Sequence, residues 1–512
     1  MISLFTDHLL SLIIAVPFIG IAILAFVRDD RLIRRISLAC TLVDVALFLL
    51  LWIGFDSEQK GMQFVERMQW MPTLKIQYAV GVDGISILLL LLTIVLSPLC
   101  ILCSWSAVTK HVRAFMMLIL LVEGAMIVVF SALDLFLFFM LWEVTMIPMY
   151  FLIVLWGGPR RIAAGLKFVL YSLTGSLLLL VGILALYAEG GGTFDIETLS
   201  QQSYTPTAQW WMFLAFFLSF AIKLPMLPFH TWLPDAHAEA PTAGSVILAG
   251  VLLKMGGYGF LRIGLPMFPD ASVQFAPWII WLSVVGILYG GLMALAQDDI
   301  KKLVAYSSIS HMGFVTLGIF SFTEQGIQGA ILQMFNHGIV TGAIFLCVGQ
   351  LYERTHSRSI NAYGGLHKQM PRFVALFCLF TIASFALPGT GSFIGEFLVL
   401  LGAAEVNLIA AFLALGGILL AAAYMLWMLQ RVVLGQPATS TAAVLPDLTR
   451  RETATLIPLA ILVLWVGVFP RPLIHCMDEA VSNVVEMHKG VGKSNAPITS
   501  SQTVESPPAK SD

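Results

Sequence analysis

Five charged residues stand inside stretches that are otherwise apolar. Glu143 lies in FLFFMLWEVTMIPMYFLI, Lys254 in ILAGVLLKMGGYGFL, Lys223 in AIKLPMLP, Glu396 in SFALPGTGSFIGEF and Glu123 in LVEGAMIVVF. A charge at membrane depth costs about 2.5–3.5 kcal/mol on insertion scales, so a chain that keeps several has a use for them. Desolvation disfavours the charged form of acids and bases alike, and an opposite charge nearby restores it. A row of such groups suits stepwise proton transfer, because neutralising one member loads or unloads the next. Polar side chains gather further along, with Tyr306, Ser307, Ser308, Ser310 and His311 in KKLVAYSSISHMG and Gln333, Asn336 and His337 in ILQMFNHG. Histidine titrates near neutrality, which makes His311 and His337 candidate relays between lysine and carboxylate. The structural alternative is hydrogen-bonded packing between helices, a role that Ser and Asn fill in membranes.

These groups need a scaffold that holds them out of water. Of the 512 residues, 58% belong to the hydrophobic set and only 11% are charged, and mean hydropathy is +0.89. That is the composition of an integral membrane protein. At about 20 apolar residues per crossing, about fourteen segments qualify as spans, and the expected fold class is an all-α polytopic membrane protein. The first segment, residues 4–27, has neither a basic leader nor a small-residue cleavage site and reads as a retained span. Alternating loops divide the 28 basic residues unequally. One side carries Arg28, Arg34, Arg35, Lys110, Arg160, Arg161, Lys301, Lys302, Arg354 and Arg451 among others, and the opposite side far fewer. The positive-inside rule then sets both termini outside the cytoplasm.

Two spans are interrupted, at 221–228 (AIKLPMLP) and 384–397 (SFALPGTGSFIGEF). Pro225, Pro228 and Pro388 remove the helical hydrogen bonds to the carbonyls of Ala221, Leu224 and Ser384. Unpaired carbonyls cannot face lipid, so each break is expected to be buried in protein or to line a wet cavity. Setting Pro225 on Pro388 also sets Gly175 on Gly338, and about five helices around each break then correspond, in opposite orientation, as in transporters built from inverted repeats. The expected organisation is 1–110, N-terminal helices; 111–265, first repeat; 277–435, second, inverted repeat; 436–488, C-terminal helix region; 489–512, a polar, Ser- and Pro-rich disordered tail.

Other chemistries lack support. A formal net charge of −2 gives a nucleic-acid partner no electrostatic footing. Cys100 and Cys103 form a C-x-x-C in an apolar run, where two small apolar residues are the simpler reading. His230, Asp235 and His237 are separated by Pro234 and have no further cysteine or carboxylate cluster to complete a metal site, so they read as capping of the helix break and lining of a half-channel. No phosphate loop, haem motif or iron–sulfur spacing occurs, and no cofactor is expected in this chain.

The segments LWEVTMIPMYFLI, AIKLPMLPFHTWLPDAHAEAPTAGSVILAGVLLKMGGYG, DDIKKLVAYSSISHMG and LPGTGSFIGEF resemble the antiporter-like membrane subunits of respiratory complex I and of the related multisubunit cation/proton antiporters, over roughly residues 80–435. In that family the second broken helix usually carries a lysine, whereas the M-subunit (chain 4) branch of NADH:quinone oxidoreductase has Gly-Glu-Phe, matched here by Gly395, Glu396 and Phe397. The resemblance implies that Glu143 pairs with Lys223, that Lys254 is the central proton carrier, that His311 and His337 are relays and that Glu396 is the terminal residue. It places an acid near Asp134, expected to serve packing against a neighbouring loop, and leaves Glu123 unassigned. It implies a subunit of a proton-translocating oxidoreductase in a bacterial inner (plasma) membrane. NADH, FMN, iron–sulfur clusters and quinone would be held by partner subunits, and two antiporter-like neighbours would flank the chain in the lipid bilayer. The alternatives are a subunit of a sodium/proton antiporter on the same scaffold and a scaffold that carries nothing.

Overall fold

Long apolar runs with good caps give long helices. The computed structural model describes residues 8–434 and 445–489; residues 4–7 of the first expected span, residues 435–444 and the polar tail from residue 490 lie outside the described residues. The helices are α1 (Leu9–Phe26), α2 (Asp30–Gly54), α3 (Gly84–Ala107), α4 (Val112–Ser131), α5 (Leu135–Trp156), α6 (Arg161–Glu189), α7 (Ile196–Ser200), α8 (Pro206–Lys223) and α9 (Trp232–Glu239). They continue with α10 (Thr242–Met267), α11 (Pro269–Leu295), α12 (Ile300–Ile319), α13 (Glu324–Thr355), α14 (Pro371–Ser384), α15 (Gly391–Val406), α16 (Leu408–Val433), α17 (Arg450–Val468) and α18 (Arg471–Lys489). Side-chain oxygens accept first-turn amides at the starts of many of them, including Asp29, Asp83, Asp134, Thr205, Asp299, Thr323 and Thr449, which removes orphan donors at the membrane surface.

Among the described residues eleven helices are long and apolar enough to cross a membrane. Three further expected centres fall on α8, on the break between α14 and α15, and on α12, whose apolar run is diluted by Lys301, Lys302 and His311. Burial separates the helices into layers. In α13 the apolar window is 100% buried and in α10 it is 94% buried, against 39% for α1 and 28% for α2. The central pair is therefore closed off from lipid while the N-terminal helices form one edge.

An element that the all-helical expectation did not contain joins α2 to α3. Strands β1 (Gln63–Met71) and β2 (Ile76–Val82) pair antiparallel, with Arg67 opposite Ala79 and Met68 opposite Tyr78. The hairpin is fastened at several points, among them the Gln77 amide, which donates to Asp134 Oδ2 at 3.1 Å, and Arg67, which pairs with Asp195 at 2.5 Å.

Both expected breaks are present, but their surroundings differ. At the first, the Ala221 carbonyl accepts from the Met226 amide at 2.8 Å and the Ile222 carbonyl from the Trp232 indole at 3.0 Å, and residues 221–226 are buried. At the second, residues 387–389 are exposed on the isolated chain, Leu387 by 44%. The first break is therefore buried in protein, as expected; at the second, Ser384, whose carbonyl Pro388 frees, is buried while residues 387–389 lie open at the surface.

Candidate functional site

The breaks create helix ends inside the protein, and a helix end carries about half a unit charge. Lys223 is the last residue of α8, where the negative end of the helix dipole favours an ammonium. Glu396 stands in the second turn of α15. Two interruptions in the sequence thus place a base at one helix end and an acid close after another.

Lys254 lies mid-way along α10, between π-helical turns at Leu248–Leu252 and Phe260–Gly264. Such wide turns occur often at functional sites because they leave backbone carbonyls open to other partners. Here the Ala249 carbonyl accepts from the Lys254 ammonium, whose Nζ is also 2.7 Å from His337 Nδ1. This contact depends on a close crossing of α10 and α13. A Cβ on Gly338 would stand 2.7 Å from the Gly250 carbonyl oxygen, so glycine is required beside His337.

From His337 the row continues. Its ring centroid is 5.6 Å from that of His311, and His311 Nδ1 is 2.8 Å from Glu396 Oε1. Gln333 Nε2 donates to the same carboxylate oxygen at 2.8 Å. Gly395 permits this, because a Cβ there would lie 3.0 Å from the Gln333 amide nitrogen. Lys254, His337, His311 and Glu396, drawn from α10, α13, α12 and α15, are between 0% and 4% exposed. The structure therefore brings together four of the six residues singled out by sequence.

The other two are arranged differently from expectation. Lys223 and Glu143 interact electrostatically, yet no ion pair within 4.0 Å joins them among the described residues. Lys223 Nζ instead lies 5.3 Å from the centre of the Trp142 ring, and Glu143 Oε1 is buried without a partner. An ammonium over an indole face is attracted by the ring quadrupole, so Trp142 gives Lys223 a partner other than Glu143. Trp142 was not among the expected site residues, although its place next to Glu143 was a signal. Tyr424 on α16, also not expected, sets a buried hydroxyl beside Glu396 and Ser307.

Asp235 and His237 do not cap the break. Asp235 pairs with Lys167 at 2.8 Å and Lys302 at 3.9 Å, beside a cavity of about 140 Å³ lined by Arg160, Lys167, Asp235 and Glu239. His237 is buried and stacks on Phe345, centroids 4.8 Å apart. Asp134 caps α5, accepting from the Phe136 and Leu137 amides at 2.9 and 3.0 Å, and holds the hairpin; it has no place in the row.

The fold and the buried row define a polytopic membrane protein of the proton- or cation-translocating class. The family description "NADH:quinone oxidoreductase/Mrp antiporter, TM" matches residues 132–421, and the chain belongs to that family. It is 47% identical over 499 residues to NADH-quinone oxidoreductase subunit M of Rhodobacter capsulatus, covering 94% of this chain and 97% of that one. A chain of respiratory complex I from Thermus thermophilus with bound NADH superposes with TM-score 0.86 at 31% identity, covering 94% of this chain and 99% of that one. A chain of the Mrp complex from Dietzia sp. shares the fold, with TM-score 0.83 at 22% identity and coverage of 95% and 99%.

Proposed function

We propose that this chain is the M-type (chain 4) membrane subunit of an NADH:quinone oxidoreductase and carries protons through the Lys254–His337–His311–Glu396 row. That buried row is the observation that supports the reading. A proton on the Lys254 ammonium passes to His337 across the 2.7 Å contact. The imidazole hands it to His311 after rotation or through a water, and His311 delivers it to Glu396, where Gln333 steadies the anion. Glu143 and Lys223 gate the step: drawing them together stabilises both charges, and separating them returns the Lys223 proton toward Lys254. The bilayer adds about 2.3 kcal/mol per proton per 100 mV, and one pKa unit is about 1.4 kcal/mol, so changes of one to two units at the gate are sufficient.

The NADH, FMN, iron–sulfur and quinone chemistry belongs in this reading to partner subunits, and the exposed second break marks one surface on which an antiporter-like neighbour would sit. The two repeats, 111–265 and 277–435, supply the opposed broken helices. On this reading the chain sits in a bacterial inner membrane, and the excess of basic residues on one set of loops supports both termini on the non-cytoplasmic side. A tightly held sodium ion would need converging oxygens, whereas the centre of this site is a lysine against an imidazole. The reading is tested in sealed vesicles bearing the assembled complex. NADH should drive proton uptake in sodium-free buffer, and a sodium gradient alone should drive none; the reverse pattern would favour the antiporter alternative.

A further inference from the structure

Glu123 and Asp44 are not part of the row described above. Asp44 on α2 is 0% exposed and Glu123 on α4 is 2% exposed; neither Asp44 oxygen has a hydrogen-bond partner among the described residues, and Glu123 has at most the Ser97 hydroxyl nearby. The two interact electrostatically with each other. The other titratable groups facing them are the thiols of Cys40 on α2 and Cys100 on α3; Ser97 of α3 adds a hydroxyl, α1 has no titratable residue, and α5, which packs on α4, brings Glu143. Two bare carboxylates at membrane depth with no cation beside them would bear the full desolvation penalty. Neither cap nor ion pair accounts for their presence.

The helix faces leading to them are also unusual. The buried face of α2 runs Ile33, Ser37, Thr41, Asp44, Phe48, Leu51, so hydroxyls line it as far as the acid and apolar side chains follow. At its start, a cavity of about 350 Å³ opens between the first turns of α2 and α4, lined by Arg28, Asp30, Ile33, His111, Val112 and Arg113 among others. Asp44 lies eleven residues beyond Ile33 and Glu123 eleven beyond Val112, which at 1.5 Å per residue puts both about 16 Å below the cavity, near the mid-plane of a bilayer about 30 Å thick.

We propose that α2, α3 and α4 form a second proton-binding site, separate from the Lys254 row: Asp44 and Glu123 share a proton as a carboxylic acid–carboxylate pair, loaded from the Arg28 and Arg113 face through Ser37 and Thr41. The ligand is a proton delivered as hydronium. It forms an O–H bond on one carboxyl, and the like charge of the other disfavours ionising both. The apolar stretch beyond Asp44 makes this a half-channel closed on the far side, a loading site and not a through path.

Infrared spectroscopy of the intact complex in lipid reads the site without reference to pumping. The protonated carboxyl gives a C=O stretch that shifts in D₂O. Asp44→Asn and Glu123→Gln keep side-chain shape, and each alone is expected to shift or remove that band, because the acid left behind loses the neighbour that sets its protonation, so one assembled variant is enough. Thr41→Val is expected to leave the band and slow its exchange in D₂O on the order of tenfold, the effect of raising one transfer barrier by about 1.4 kcal/mol. A band unchanged in Asp44→Asn or Glu123→Gln would overturn the shared proton. Unchanged exchange in Thr41→Val would overturn the path.

Discussion

Replacing Glu396 by lysine, glutamine or leucine separates its titration from its hydrogen bonding. The wild-type carboxylate accepts from His311 Nδ1 and Gln333 Nε2, each at 2.8 Å. Leucine leaves both donors buried and unmet, at about 1–3 kcal/mol each, or about 2–6 kcal/mol of local destabilisation, and removes the proton acceptor. Glutamine keeps an acceptor oxygen for both donors but cannot carry the proton, and losing a positioned acid or base slows a transfer about 10²–10⁴-fold. Lysine restores a titratable group. Its ammonium needs acceptors, and the structure holds them ready: Gln333 Oε1 is buried without a partner, so an amide flip presents it, and neutral His311 can accept through Nδ1. The expected order of NADH-driven proton uptake in sealed vesicles, normalised to NADH oxidation and to complex on a native gel, is wild type, then lysine, with glutamine and leucine near zero. Glutamine should assemble normally and leucine less well. Equal loss in the lysine and leucine variants, or normal pumping with glutamine, would refute the reasoning.

Glu143→Gln should leave the complex assembled and lower coupled turnover strongly, because the Lys223 ammonium then has no charge to close on; normal pumping would sink the gating role. Gly338→Ala should force α10 from α13, at about 1–3 kcal/mol of overpacking, and lengthen the Lys254–His337 contact, so proton uptake should fall further than NADH oxidation. At the hairpin, burial raises the Asp195 carboxyl, but the Thr198 amide and hydroxyl and the Arg67 guanidinium outweigh it and hold it below the usual range. Its stabilisation is therefore present above the unfolded value of about 3.9 and lost as pH falls through the lower folded value. With Arg67 38% exposed, the ion pair contributes about 1 kcal/mol or less. Asp195→Asn should make the hairpin more sensitive to limited proteolysis at pH 7 and remove the acid dependence that wild type shows.

Much of this site could be read in advance because membrane burial makes polar residues conspicuous. Pro225 and Pro388 announced the breaks, and Lys223, Lys254, Glu143 and Glu396 stood out against apolar neighbours. What sequence could not supply was distance. The π-turns around Lys254 have no residue signature of their own; they follow from packing of α10 against its neighbours. The Glu143–Lys223 separation depends on where Trp142 places its ring. Gln333 and Tyr424 acquire roles only once α13, α15 and α16 are assembled. Hairpin residues 63–82 are amphipathic and short, and their pairing is held by Asp134 and Asp195, which are distant in sequence. Glu123 was visible but solitary, because its counterpart Asp44 sits on another helix among hydroxyls that look like ordinary packing.

The central claim is that Lys254 lies on the proton path. The most direct measurement is NADH-driven proton uptake into sealed membrane vesicles, comparing wild type with Lys254→Ala at equal amounts of complex on a native gel. The account expects an assembled complex whose proton uptake per NADH oxidised falls sharply. Full uptake in the assembled Lys254→Ala complex would make the lysine structural and contradict the account.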